Sequence, residues 1–284
     1  MQLREFYSFF LNELKALYDP HEASVITSMI FESVAGTSKS DMITHPDKEV
    51  DKEISSQLEK ALLQLKIFTP VQYIIGKAWF CNLLFIVSPA VLVPRPETEE
   101  LVSLAINQII TNDKKTILDI GTGTGCIPIS IKKQLPYLSV SAIDYSKEAL
   151  LVAKENGISH STAIEWIYMN FLEENNWDKL PVYDVIISNP PYIPENEKQL
   201  LDKNVTSFEP HMALFVPDNQ RLIFYEKIAD FGKKHLSHDG SVFLETHELY
   251  AKEVADLFKR EGYDTDIKKD FYEKERIVIA TRFR

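Results

Sequence analysis

Apolar positions near the start of the chain recur at helical spacing. Leu3, Phe6, Tyr7, Phe10, Leu14 and Leu17 fall on one side of a helix, because residues three and four apart stack on the same face. Ser24 to Val34 forms a second, shorter pattern. Asp47 to Lys66 forms a third, with Ile54, Leu58, Ala61, Leu62 and Leu65 on one side. The polar stretch Gly36 to Pro46 reads as a loop. Three short helices with apolar faces predict a small bundle over residues 1–68, with Phe6, Tyr7 and Phe10 in its core. Val71 to Ile75 then leads into Gly76. Trp79-Phe80-Cys81, a turn at Asn82 and Leu84-Phe85-Ile86-Val87 read as a hairpin. Pro89, Pro94 and Pro96 exclude a helix there, so residues 69–95 are expected to be a hairpin linker.

From Glu97 onward helical and strand patterns alternate. Helices are expected at Glu97 to Ile110, Thr124 to Leu135, Lys147 to Asn156, Arg221 to His235 and Tyr250 to Glu261. Strands are expected at Thr116 to Asp119, Ser139 to Ile143, Ile164 to Tyr168, Val182 to Ser188, Ser241 to Leu244, Tyr263 to Lys268 and Ile277 to Thr281. Such alternation implies an α/β domain over residues 96–284, its largely parallel sheet covered on both faces. The last two strands have no helix between them, so they are expected to pair antiparallel and reverse the last edge of the sheet.

Composition narrows the chemistry. Hydrophobic residues make up 45% and charged residues 26%, as in a soluble globular protein. No apolar run approaches the roughly 20 residues of a membrane span. Met1 to Asp19 carries Glu5 and Glu13 and does not read as a secretory signal. Cys81 and Cys126 are the only cysteines and lie far apart. A reduced, cytoplasmic protein without a thiolate metal site is therefore expected. A formal charge of −11 argues against a protein that grips nucleic-acid phosphates.

Two strand ends carry the candidate chemistry. The strand at Ile117-Leu118-Asp119-Ile120 runs into Gly121-Thr122-Gly123-Thr124-Gly125, where glycine permits a tight turn and close approach of a ligand. The third glycine comes one residue earlier than in the dinucleotide fingerprint. Asp119 opposes a diphosphate but suits a cationic ligand such as the sulfonium and ammonium of S-adenosylmethionine. The next strand ends at Asp144, placed to accept ribose hydroxyls. Phe171, after Met169-Asn170, is either an adenine-packing ring or core. The strand ending at Ser188 runs into Asn189-Pro190-Pro191-Tyr192. Two prolines stiffen that corner. An amide, free carbonyls and a flat ring there suit a planar, NH2-bearing group.

These residues resemble class I S-adenosylmethionine-dependent methyltransferases. More closely, the chain is similar to the HemK/PrmC family, the glutamine N5-methyltransferases of peptide chain release factors. The resemblance rests on Pro70-Val71-Gln72-Tyr73-Ile74-Ile75-Gly76, Trp79-Phe80, Leu92-Val93-Pro94-Arg95-Pro96-Glu97-Thr98-Glu99, the Asp119 to Gly125 loop, Asn189-Pro190-Pro191-Tyr192-Ile193 and Phe208-Glu209-Pro210. It implies a Rossmann-like, seven-stranded sheet with an antiparallel last strand. It implies S-adenosyl-L-methionine as cofactor, with Gly121, Thr122, Gly123, Thr124 and Gly125 around its methionine part, Asp144 on the ribose and Phe171 near the adenine. Asn189 would touch both cofactor and substrate, Pro190 would supply a carbonyl, and Pro191 and Tyr192 would complete the substrate corner. Asn170, in place of the usual acid, and the missing glycine between Asp270 and Arg276 depart from the family pattern. The N-terminal bundle would recognise class I release factors, and a monomer is expected. Arg95 either clamps substrate or pairs with Glu97 or Glu99. The alternative activity is methylation of an exocyclic base amine in nucleic acid, which could use the same Asn-Pro-Pro-Tyr corner. An NAD-dependent oxidoreductase and a non-enzymatic binding protein fit the two motifs less well.

Overall fold

The computed structural model describes residues 2–45 and 48–282. The chain divides into two compact units. One takes the chain to Lys77 together with Asp202–Phe208, and the other takes Ala78–Leu201 and the chain from Glu209 onward.

In the first unit, α1 (Leu3–Lys15), α2 (Pro20–Ala35), α3 (Lys39–Thr44), α4 (Lys52–Lys66) and α5 (Val71–Ile75) follow in order. The predicted apolar faces build its core. Phe31 of α2 receives Phe6, Tyr7 and Phe10 of α1 edge-on at 5.0–6.1 Å. Asp19 caps α2 and Asp51 caps α4 by accepting backbone N–H groups, which fixes where each helix starts. The third helix thus begins later than its apolar pattern predicts. Leu17 lies past the end of α1 and is exposed. The stretch read as a loop contains α3, nucleated by a reciprocal capping box between Ser38 and Asp41. Pro46 and Asp47, at the end of that loop reading and the start of the third helix reading, lie outside the described residues.

The strands β1 (Lys77–Phe80) and β2 (Leu83–Ile86) form the predicted hairpin, and its turn residues Cys81 and Asn82 both have positive φ. The larger unit continues with α6 (Pro96–Thr111), β3 (Thr116–Ile120), α7 (Cys126–Gln134), β4 (Ser139–Asp144), α8 (Lys147–Ser159), β5 (Glu165–Tyr168) and β6 (Tyr183–Ser188). Next come β7 (Ile193–Pro194), α9 (Lys203–Phe208, which belongs to the first unit), α10 (His211–Leu214) and β8 (Phe215–Val216). The chain ends with α11 (Ile223–His235), β9 (Leu236–Glu245), α12 (Ala251–Arg260), β10 (Tyr263–Lys269) and β11 (Glu275–Arg282).

The main sheet has seven strands in the order β10-β11-β9-β6-β3-β4-β5. The strands β9, β6, β3, β4 and β5 run parallel, while β11 pairs antiparallel with both β9 and β10. The reversed strand is therefore last in the chain but second from the edge, inserted between β9 and β10 rather than forming the rim. Alternating side chains separate two apolar layers. Leu118, Ile120, Ile186 and Val242 pack beneath α11 and α12. Ile117, Val185, Ile187 and Phe243 pack beneath α6, α7 and the hairpin rings Phe80 and Phe85. No helix among the described residues is long and apolar enough to cross a membrane.

Candidate active site

In-register pairing sets Ile120 beside both Ile143 and Ser188, and Ser188 beside Leu244. The ends of β4, β3, β6 and β9 thus deliver Asp144, the glycine loop, Asn189 and Glu245 side by side along one edge. This is where open α/β sheets place chemistry.

The glycine loop is a turn held by its own backbone. Gly121 and Thr122 donate to the Ile143 carbonyl, Gly125 donates to that of Thr122, and Gly123 donates to Asp144 Oδ2 at 2.8 Å. Those N–H groups are spent inside the loop, which sets it apart from loops that wrap phosphate in free backbone donors. Gly121, Gly123 and Gly125 all have positive φ. A Cβ on Gly121 or Gly123 would stand in open space, whereas on Gly125 it would lie 2.9 Å from the Trp166 ring. The first two glycines therefore front open space, and the third lets the start of α7 pass close to the Trp166 ring of β5.

Asp119, one residue before the turn, is wholly buried, and neither carboxylate oxygen has a hydrogen-bond partner among the described residues. Burial pushes its pKa up to about 7, the neighbouring Thr122 hydroxyl offsets part of this, and the Asp144 charge adds to it. A buried carboxylate without a partner is costly unless a cation or donor joins it. Asp144 has a different setting. Its oxygens accept from Gly123 N and Ser146 N, both at 2.8 Å, leaving further lone pairs for a ligand. Burial raises its pKa and those backbone bonds pull against the rise.

At the end of β6, Ser188 Oγ donates to the Ile120 carbonyl at 2.7 Å and ties the corner to the loop. Asn189 follows, half-buried, with Nδ2 3.2 Å from Thr98 Oγ1. Thr98, in the first turn of α6, donates to Glu245 Oε2 at 2.6 Å, and Tyr192 donates to Glu245 Oε1 at 3.2 Å. Glu245 is buried. Desolvation raises its pKa, countered by the Thr98 and Tyr192 hydroxyls and by the charge of Arg276. Arg276 itself is held by Asp270 at 3.0 Å. Beyond Tyr192, β7 pairs with β8 and fixes the exit of the corner.

Of the sequence-predicted residues, the structure brings together Gly121 to Gly125, Asp144 and Asn189 to Tyr192. Phe171 takes the core place that its sequence reading left open. Only 4% exposed, its ring packs 5.4 Å from Trp177 and 5.3 Å from Phe231, and its carbonyl accepts the Trp177 indole N–H. The exposed rings beside Asp144 are Tyr145 and Tyr168, parallel to within 9° at 6.2 Å, which line a cleft of about 440 Å³ along β5. Arg95 pairs with Glu209 at 2.7 Å rather than with the adjacent Glu97 or Glu99. Sequence reasoning missed Glu245 and Thr98. Thr98 stood inside a motif already singled out, and a lone Glu ending a strand gives no signal of its own.

The sheet order, the reversed penultimate strand, a buried unpaired acid before a glycine turn and an amide corner at the neighbouring strand end define a methyltransferase. Residues 100–209 match the Methyltransferase small domain family, and residues 5–76 match the PrmC N-terminal domain. A release factor glutamine methyltransferase of Flavobacterium psychrophilum is 38% identical, over 100% of both chains. One from Bacteroides thetaiotaomicron is 36% identical over 95% of this chain and 96% of its own length. A solved methyltransferase from Pyrococcus furiosus, 16% identical, aligns over 82% of this chain and 100% of its own with a TM-score of 0.51, a likeness of fold alone. The chain belongs to the release factor glutamine methyltransferase family, the one its motifs resemble.

Proposed function

We propose that this protein transfers a methyl group from S-adenosyl-L-methionine to the side-chain amide nitrogen of the glutamine in the Gly-Gly-Gln motif of class I release factors. The observation that carries the reading is the adjacency, set by the pairing of Ile120 with Ser188, of a cation-seeking carboxylate and a carboxamide-seeking corner. Bound in the cradle, the cofactor would supply an electrophilic methyl on a sulfonium. Asp119 would receive its positive charge, Asp144 its ribose hydroxyls, and Tyr145 would offer its flat group an exposed ring.

An amide nitrogen is a poor nucleophile because its lone pair is delocalised into the carbonyl. The Asn189 side-chain carbonyl and the Pro190 backbone carbonyl would each accept one substrate N–H. That points the remaining density on nitrogen at the methyl and favours the positive charge that grows as N–C forms and C–S breaks. Tyr192 would pack on the amide plane, and Pro191 keeps the corner stiff. Holding nitrogen at attack distance contributes up to ~7–11 kcal/mol in favourable cases. The proton becomes acidic only as the bond forms, so no strong base is required beforehand. The N-terminal bundle over residues 1–68 is the release-factor-recognising module in this reading, joined through 69–95 to the catalytic domain over 96–284. The protein acts as a monomer in the cytoplasm.

Mass spectrometry of a purified release factor, after incubation with protein and cofactor, should show one added methyl on the Gly-Gly-Gln glutamine. DNA and ribosomal RNA incubated in parallel should stay unlabelled; label on either with an unmodified release factor would replace this reading with base methylation. Asp144→Ala should weaken S-adenosylhomocysteine binding in calorimetry by about 10-fold or more, the loss of hydrogen bonds to a charged group. An unchanged dissociation constant would remove Asp144 from the ribose site.

A further inference from the structure

The Pro-Arg-Pro-Glu-Thr-Glu motif contributes a residue to the acceptor corner that the reaction as described leaves unused. We propose that Glu245 and Thr98 are positioning residues that fix which end of the Asn189 carboxamide faces the substrate, so that it presents its carbonyl and not its NH2 group. The inference rests on the methyl-transfer reading and concerns the same corner.

The direction of the hydrogen bonds carries the argument. An ionised carboxylate accepts only, and a threonine hydroxyl has one proton. At 2.6 Å from Glu245 Oε2, the Thr98 hydroxyl donates its one proton to that oxygen. Toward Asn189, Thr98 Oγ1 then has only lone pairs, and the atom 3.2 Å away must be a donor, Nδ2. Oδ1 is left to face outward as an acceptor. The chain runs one way, from Asn189 through Thr98 to Glu245. Both relay residues are almost fully buried, Thr98 at 3% and Glu245 at 1% exposure, so water does not scramble it. The second oxygen of Glu245 holds the Tyr192 hydroxyl. One carboxylate therefore sets both the amide orientation and the ring beside it. Three separate segments meet here: the start of α6, the end of β6 and the end of β9. Without the chain the amide is free to turn over, and its NH2 would then oppose a substrate N–H donor to donor.

Methylation of a purified release factor is measured at saturating cofactor for wild type, Thr98→Val, Thr98→Ser, Glu245→Gln, Asn189→Ala and the Thr98→Val/Asn189→Ala double variant. Cofactor affinity is measured in parallel by calorimetry. Thr98→Val, equal in shape but unable to relay, should lower kcat about tenfold or more with the cofactor dissociation constant held within about twofold. Thr98→Ser restores the hydroxyl and should recover most of the rate. In Glu245→Gln the new NH2 can donate to Thr98 and reverse the chain, so its kcat should fall as well. The double variant should be no slower than Asn189→Ala, because residues acting through one group are not additive. Should Glu245→Gln fail to fold, the Val and Ser pair at position 98 decides alone. A Thr98→Val enzyme with wild-type kcat, or a double variant showing the product of both losses, overturns the relay. A wild type that leaves the release factor unmethylated overturns instead the reading on which the relay rests.

Discussion

Asn189→Ala should reduce kcat for glutamine methylation by about 10²–10³-fold, the scale seen when one preorganised group facing developing charge is removed. The substitution takes away the side-chain carbonyl proposed to accept a substrate N–H and leaves the Pro190 carbonyl to orient the amide. Binding of S-adenosylhomocysteine should change far less, since Asp119, Asp144 and the loop remain. The fold should survive. Asn189 is half-buried and gives up the bond to Thr98, which costs about 0.5–1.5 kcal/mol. For a chain of this size that lowers Tm by roughly 1–3 °C. Tritium transfer from labelled cofactor to a release factor measures the rate, and a thermal melt measures the fold. Turnover near that of wild type would remove Asn189 from the mechanism. A collapse of Tm together with rate would recast it as a structural residue.

Much of this site was legible because local chemistry writes itself into short stretches. The strand Thr116–Ile120 and the loop after it are adjacent in sequence, as are β4 with Asp144 and β6 with Asn189. Apolar runs bounded by glycine or proline located those strands to within a residue or two. What failed to show depended on partners distant in the chain. Glu245 stands 147 residues from Thr98 and 53 from Tyr192, and only sheet order brings the three together. That order, with β11 threaded between β9 and β10, is a tertiary choice that hydrophobic periodicity does not encode. The early part of β9 was invisible for a local reason: Ser237-His238-Asp239-Gly240 is polar enough to read as a loop. Phe171 reads either way from its position, and the contact that makes it core, with Trp177 six residues on in a short 3-10 turn, has no apolar period to announce it. The capping box that starts α3 is likewise a polar signal, and the polarity of its surroundings was read as absence of structure.

Asp119→Asn should move stability and affinity in opposite directions. Among the described residues the carboxylate is buried without a hydrogen-bond partner, with its pKa raised by burial to about 7. For an acid the sign is fixed by linkage: the raised folded-state pKa gives a contribution to stability that is full below about pH 4 and is lost as pH rises to about 7. Above that pH the ionised group disfavours the fold by about 4 kcal/mol, from roughly three pKa units at 1.36 kcal/mol each. Asparagine cannot ionise but still buries an amide with unmet hydrogen bonds, so the net gain at pH 8 should be nearer ~1–3 kcal/mol. At about pH 4 and below the group is neutral in the folded state and its penalty has vanished, so the two Tm values should converge. Affinity should fall because a cationic ligand loses its counter-charge, by about 10–100-fold for a hydrogen bond to a charged group. Calorimetry with S-adenosylmethionine and S-adenosylhomocysteine separates the sources, since both carry the ammonium and only the former carries the sulfonium. In wild type, binding between pH 5 and 7 should release a proton from Asp119, visible as a dependence of the apparent enthalpy on buffer ionisation. An Asp119→Asn protein that binds both ligands as tightly as wild type would leave the buried carboxylate without a functional account. One that is also no more stable at pH 8 would show that the charge is compensated within the fold, and the cradle would then have to draw its affinity from Asp144 and the exposed rings beside it.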